Sequence, residues 1–90
     1  NILMDVSIDE DTKDIILDVV HGYKEVKGIN GFSSAPVGYQ YVIFLTIAVD
    51  GGMTTFDSHK LADNLEINIS ELDKVYKAVV HVEPFEKKNV

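Results

Sequence analysis

Few side chains in this 90-residue sequence belong to types that bind ions or carry protons. There are three histidines, His21, His59 and His81, and no cysteine. Any metal would therefore be held by imidazole and carboxylate, and neither a disulfide framework nor a thiolate zinc finger can form. His81 and Glu83 stand two residues apart in VYKAVVHVEP, residues 75–84. Side chains two apart on a strand share a face, so Val79, His81 and Glu83 point one way and Ala78, Val80 and Val82 the other. An imidazole and a carboxylate oriented by one rigid strand can begin a zinc or manganese site. Two ligands do not close it, and His59 is the candidate third. The same residues also admit a plainer account. A polar pair ending an edge strand meets water and discourages edge-to-edge pairing, His59 can pair with Asp63 four residues on, and His21 suits the negative end of a helix dipole.

The elements that would position these groups can be read from periodicity. Ser7 followed by Glu10 has capping-box spacing, and Asp9, Glu10 and Asp11 place negative charge where a helix N-terminus favours it. A helix is expected from near Ile8 to before Gly28, with Ile15, Ile16, Val19, Val20 and Tyr23 as its apolar stripe. A short edge strand is expected from Ile29 to Ala35, then a turn at Gly38, then the strongest strand, QYVIFLTIAVD, from Gln40 to Asp50. That strand is apolar on both faces. Tyr41, Ile43, Leu45, Ile47 and Val49 point one way and Val42, Phe44, Thr46 and Ala48 the other. With only two helices to cover the sheet, one of those faces is left exposed, which predicts a homodimer. Thr54 or Thr55 caps a second helix over Phe56 to Ile69, whose buried stripe is Leu61, Ala62, Leu65 and Ile69. A last strand runs from Val75 to Glu83, stopped by Pro84, and FEKKNV trails as a flexible tail over residues 85–90. The order is α-β-β-α-β: an α+β fold, a three-stranded sheet with two helices on one face.

Composition narrows the function. Ninety residues bound one domain with one modest core. Fifteen acidic against eight basic residues leave a formal charge of −7, which repels phosphate backbones and argues against a nucleic-acid partner. No apolar run reaches the roughly 20 residues of a membrane-spanning helix. No nucleophile elbow, Walker loop or dinucleotide fingerprint occurs, and Ser33, Ser34 and Ser58 have no implied base, so an enzyme is not expected. The chain starts at Asn1 without an initiator Met, which suggests a soluble piece of something longer.

Taken in order, ILMD with its acidic helix start, VKGIN, the long strand ending in VD, SHKLAD and VVHVEP resemble the C-terminal cytoplasmic domain of cation diffusion facilitator transporters. The resemblance spans roughly residues 2 to 84. It implies an open ferredoxin-like, metallochaperone-like sandwich that pairs across a two-fold axis beneath the membrane portion of the same chain, on the cytoplasmic face of the cell membrane. Residues 1–6 would be the linker remnant and 7–84 the dimerisation and metal-sensing domain. His59, His81 and Glu83 match the positions that bind divalent metal near the family's dimer interface. Two further histidines of zinc-loaded relatives correspond here to Asn30 and Leu45, so the resemblance implies one site, completed by water or the partner subunit, in place of a two-zinc cluster. An Asn30 oxygen would suit Mn2+ better than Zn2+. The implied role is regulation of a zinc- or manganese-type efflux transporter, whose transport site lies in the membrane helices. The alternatives are a purely structural dimerisation domain, and a stand-alone ligand-binding or metallochaperone module.

Overall fold

The structure, a computed structural model, describes residues 3, 4 and 8–86. Ser7 of the expected capping box, residues 1, 2, 5 and 6 of the expected linker and residues 87–90 of the expected tail lie outside them. Six elements follow in order: β1 (Leu3–Met4), α1 (Glu10–His21), β2 (Gly28–Val37), β3 (Gln40–Val49), α2 (Thr55–Ser70) and β4 (Val75–Pro84). The sheet order is β1-β2-β3-β4. β2 and β3 are antiparallel, β3 and β4 parallel, and the two-residue β1 adds in parallel to β2. The expected α-β-β-α-β sandwich is thus present, with β1 as an extra short strand on the outer side of β2.

α1 begins two residues later than capping by Ser7 would have it. Asp9 is the N-cap, and its carboxylate accepts from the Thr12 N–H at 2.8 Å and the Thr12 hydroxyl at 3.0 Å. Thr12, Ile16 and Val20, four apart, form the buried line of α1, flanked by Leu17, Val19 and Tyr23. Ile15 departs from the expected stripe, being 52% exposed, because the helix is rotated to centre its burial on that four-residue line. α2 is capped as expected by Thr54, whose hydroxyl accepts from the Asp57 N–H at 3.0 Å. It buries Leu61, Ala62, Leu65 and Ile69.

Both helices cover one side of the sheet. Ile43, Leu45 and Ile47 of β3 are sealed there at 1% exposure or less, and Phe32, Ala78 and Val80 are buried beside them. The hairpin between β2 and β3 closes over Gly38 and Tyr39, with Gly38 at φ 61°, the left-handed geometry that two-residue hairpins demand at a central position. Two bulges break strict alternation. In β2 the pairing steps from Ile29↔Ile47 to Gly31↔Thr46, leaving Asn30 over. In β4 it steps from Val75↔Tyr41 to Lys77↔Val42, leaving Tyr76 over, so that Val75 and then Ala78 and Val80 all face the helices.

Two outcomes follow for stability. Leu65→Ala should lower unfolding free energy by about 2–5 kcal/mol, whereas Ile67→Ala, on the exposed side of the same helix, should stay within about 0.5 kcal/mol. Urea titration of the two variants checks the assignment of faces. The Thr12 backbone hydrogen bond, then the Thr12 hydroxyl, and more weakly the Lys74 charge, hold the Asp9 carboxyl below its ordinary value. A lowered folded pKa contributes stability above the unfolded value that is lost as pH falls through the folded one. Asp9→Asn keeps a capping oxygen but removes this titration. The difference in urea midpoint between wild type and variant should therefore be present near neutral pH and shrink as the pH is lowered through the carboxylate range.

Candidate metal centre

β4 lies at the edge of the sheet, so alternate backbone N–H groups face outward without a strand to accept them. α2 supplies acceptors in their place. The Val80 N–H donates to Glu66 Oε2 at 2.9 Å, and the Ala78 N–H donates to Ser70 Oγ at 3.3 Å. Four helix residues advance about 6 Å and two strand residues about 6.6 Å, so the two elements stay in step as they run antiparallel. The next helix position is Ala62, which carries no polar group, and here a cleft opens. It has a volume of about 440 Å³ and is lined by His59 and Ala62 of α2, His81 and Glu83 of β4, and Asp50 just after β3.

The strand face expected for His81 and Glu83 is the one observed. Ala78 and Val80 are buried, whereas His81 is exposed and Glu83 half-buried. His81 Nε2 lies 3.8 Å from Glu83 Oε2. Nitrogen and oxygen donors bound tetrahedrally to zinc at about 2.0–2.2 Å sit about 3.4 Å apart, so a small side-chain adjustment would let this pair share an ion. His59, exposed on α2, borders the same cleft from the other side. Among the described residues no three His, Asp or Glu side chains converge closely enough to enclose an ion. The cleft therefore brings the trio to one place, and the strand pair within it to ligand spacing, without closing the site.

The remaining candidates sit differently. Asp63 is exposed one turn beyond His59 and lies outside the lining of the cleft. The described ion pairs are Lys13 with Glu10 and His81 with Glu83, so His59 and Asp63 are not paired. Asn30, on the β2 bulge, donates from Nδ2 to Glu83 Oε1 at 3.0 Å. Leu45 is buried beneath the helices, on the opposite side of β3 from His81. The Ser58 hydroxyl donates to the Thr55 carbonyl at 3.0 Å, within its own helix turn. Asp50 was not singled out from sequence. Its only signal there was an acidic residue at a strand end before two glycines.

A half-covered α-β-β-α-β sheet is the form of a ferredoxin-like domain, and comparison with known proteins places it more closely. Residues 8–85 match the family described as the cation efflux protein, cytoplasmic domain. The chain belongs to that family, the C-terminal cytoplasmic domains of cation diffusion facilitator transporters. The metal-bound C-terminal domain of the CzcD transporter from Thermotoga maritima superposes with a TM-score of 0.79 at 27% identity, over 86% of this chain and 94% of that one. The crystal structure of the cytosolic domain of a cation diffusion facilitator family protein gives 0.75 at 29% identity, over 82% and 89%. Protein p34 of Rickettsia rickettsii is 23% identical over 83 residues, which is 92% of this chain. The chain spans 28% of the length of that protein and of its Rickettsia prowazekii counterpart.

Proposed function

We propose that this chain is the regulatory dimerisation domain of a divalent-metal efflux transporter of zinc or manganese type, and that His81, Glu83 and His59 hold the regulatory ion. The observation that carries the reading is the His81–Glu83 pair at 3.8 Å on a rigid strand, beside a cleft that His59 borders. Imidazole and carboxylate without thiolate suit zinc and tolerate manganese, and the metal-bound state of the Thermotoga relative agrees with such a role. Water or the partner subunit would complete the coordination. The ion is a ligand of the domain, and transport belongs to membrane helices elsewhere in such proteins.

Homodimerisation has its own support. On the uncovered sheet face Phe44 is 46% exposed, Val79 38% and Tyr76 61%, an apolar surface of the kind that associates. Two chains of charge −7 each repel at close range, and a divalent cation bound between them offsets that repulsion. Metal can bias an open and a closed arrangement only by its difference in affinity for the two. A site that one subunit leaves unclosed meets that condition, because a closed dimer can add the missing ligand. The cytoplasmic face of the membrane is the corresponding location.

That His59 does not close on the strand pair into a three-ligand cluster among the described residues favours one second reading, a structural dimerisation domain without metal regulation. Calorimetric titration of zinc into the protein separates the two. Regulation by metal predicts saturable heat for wild type and an affinity loss beyond about 100-fold in His81→Ala, more than outer-shell substitutions cost. Equal and negligible heats in both would leave only the structural role.

A further inference from the structure

We propose that Asn30 is a positioning residue for Glu83: its amide holds one carboxylate oxygen and leaves the other turned toward His81 for the ion. The inference rests on the metal-binding reading above and assigns Asn30 a role other than ligation.

The two oxygens of Glu83 have different partners. Oε1 accepts from Asn30 Nδ2 at 3.0 Å, and Oε2 lies 3.8 Å from His81 Nε2. An ionised carboxylate only accepts hydrogen bonds, so the nitrogen end of the Asn30 amide must face it. Oδ1 is thereby turned away, and ligation through Oδ1 beside Glu83 would require the amide to flip and the hydrogen bond to break. Fixing one oxygen favours monodentate binding through the other. Zinc accepts this readily, whereas ions that favour bidentate carboxylates do not.

The contact is built by the fold. Asn30 and Glu83 sit on strands either side of β3, about 9.5 Å apart at two strand spacings, too far for either side chain alone. Two features close the gap. The β2 bulge falls at Asn30, and the residue of β3 between the strands is Ala48, paired with Gly28 on one side and Glu83 on the other. Ala48 is 1% exposed beneath this region. A methyl group and a glycine leave room for the two side chains to meet above β3, where a larger residue would keep them apart. Outer-shell partners of this kind orient ligands at metal sites and typically contribute 10–100-fold in affinity.

The test combines zinc calorimetry with proton–nitrogen NMR of the Asn30 side-chain amide. In zinc-free protein Glu83→Ala should move the hydrogen-bonded Asn30 amide proton, and in wild type that proton's signature should persist on zinc loading. Asn30→Ala should bind zinc about 10–100-fold more weakly with an unchanged urea midpoint. Wild-type zinc binding that Asn30→Ala leaves intact, or an amide proton insensitive to Glu83→Ala, overturns the positioning role alone. Loss of the amide signature on zinc loading overturns it in favour of ligation through Oδ1. Absence of saturable zinc binding by wild type overturns the metal site itself, and the positioning role with it.

Discussion

Everything in this domain is referred to the pairing of β3 on both its edges. β3 is apolar on both faces, and only one is covered by helices, where Ile43, Leu45 and Ile47 are sealed. That burial fixes which way every β3 side chain points, since a one-residue slip would turn the whole set over. Register then passes outward. Gly28, Ala48 and Glu83 lie abreast across three strands, as do Gly31, Thr46 and His81. The imidazole and carboxylate proposed to bind metal thus sit at the end of the sheet where β4 finishes, at positions set by core packing remote from them.

The opposite side of the same constraint leaves an apolar face without helices. That face carries Phe44 and Val79 exposed, and the proposed homodimer would cover it. α2 meets a related need at the edge. Glu66 and Ser70 accept the outward N–H groups of Val80 and Ala78, which blunts the β4 edge against further strands and ties α2 in step with β4. The four-residue line of Ser70, Glu66 and Ala62 continues to Ser58, and His59 beside it comes to the cleft by the same helix geometry.

Much of this was legible in the sequence where one element speaks for itself. The β-branched and aromatic run of β3, the Thr54 cap and the Leu61, Ala62, Leu65, Ile69 stripe of α2, and the shared face of His81 and Glu83 depend only on local periodicity, and each has its place in the structure. What was not legible depends on pairs of elements. Ser7 and Asp9 are both good caps by type, and only the contacts of Asp9 with Thr12 decide between them. Ile15 and Ile16 flank one broad apolar stripe, and only laying α1 against the sheet decides which of them is buried. The bulges at Asn30 and Tyr76 leave no mark in a pattern of alternation, and the Asn30–Glu83 contact joins residues 53 apart in sequence. Asp50 enters the cleft only because β3 and β4 end together.

The central claim is that a divalent ion is held where α2 and β4 meet, by His81 and Glu83 with His59 alongside. Anomalous scattering at the zinc edge from crystals of the zinc-loaded protein tests it most directly. The account predicts one peak within about 2.2 Å of His81 Nε2 and of a single Glu83 oxygen, on the side of the cleft facing His59. A well-diffracting, zinc-loaded crystal with no peak at these two side chains, or with zinc only at unrelated surface carboxylates, would contradict it.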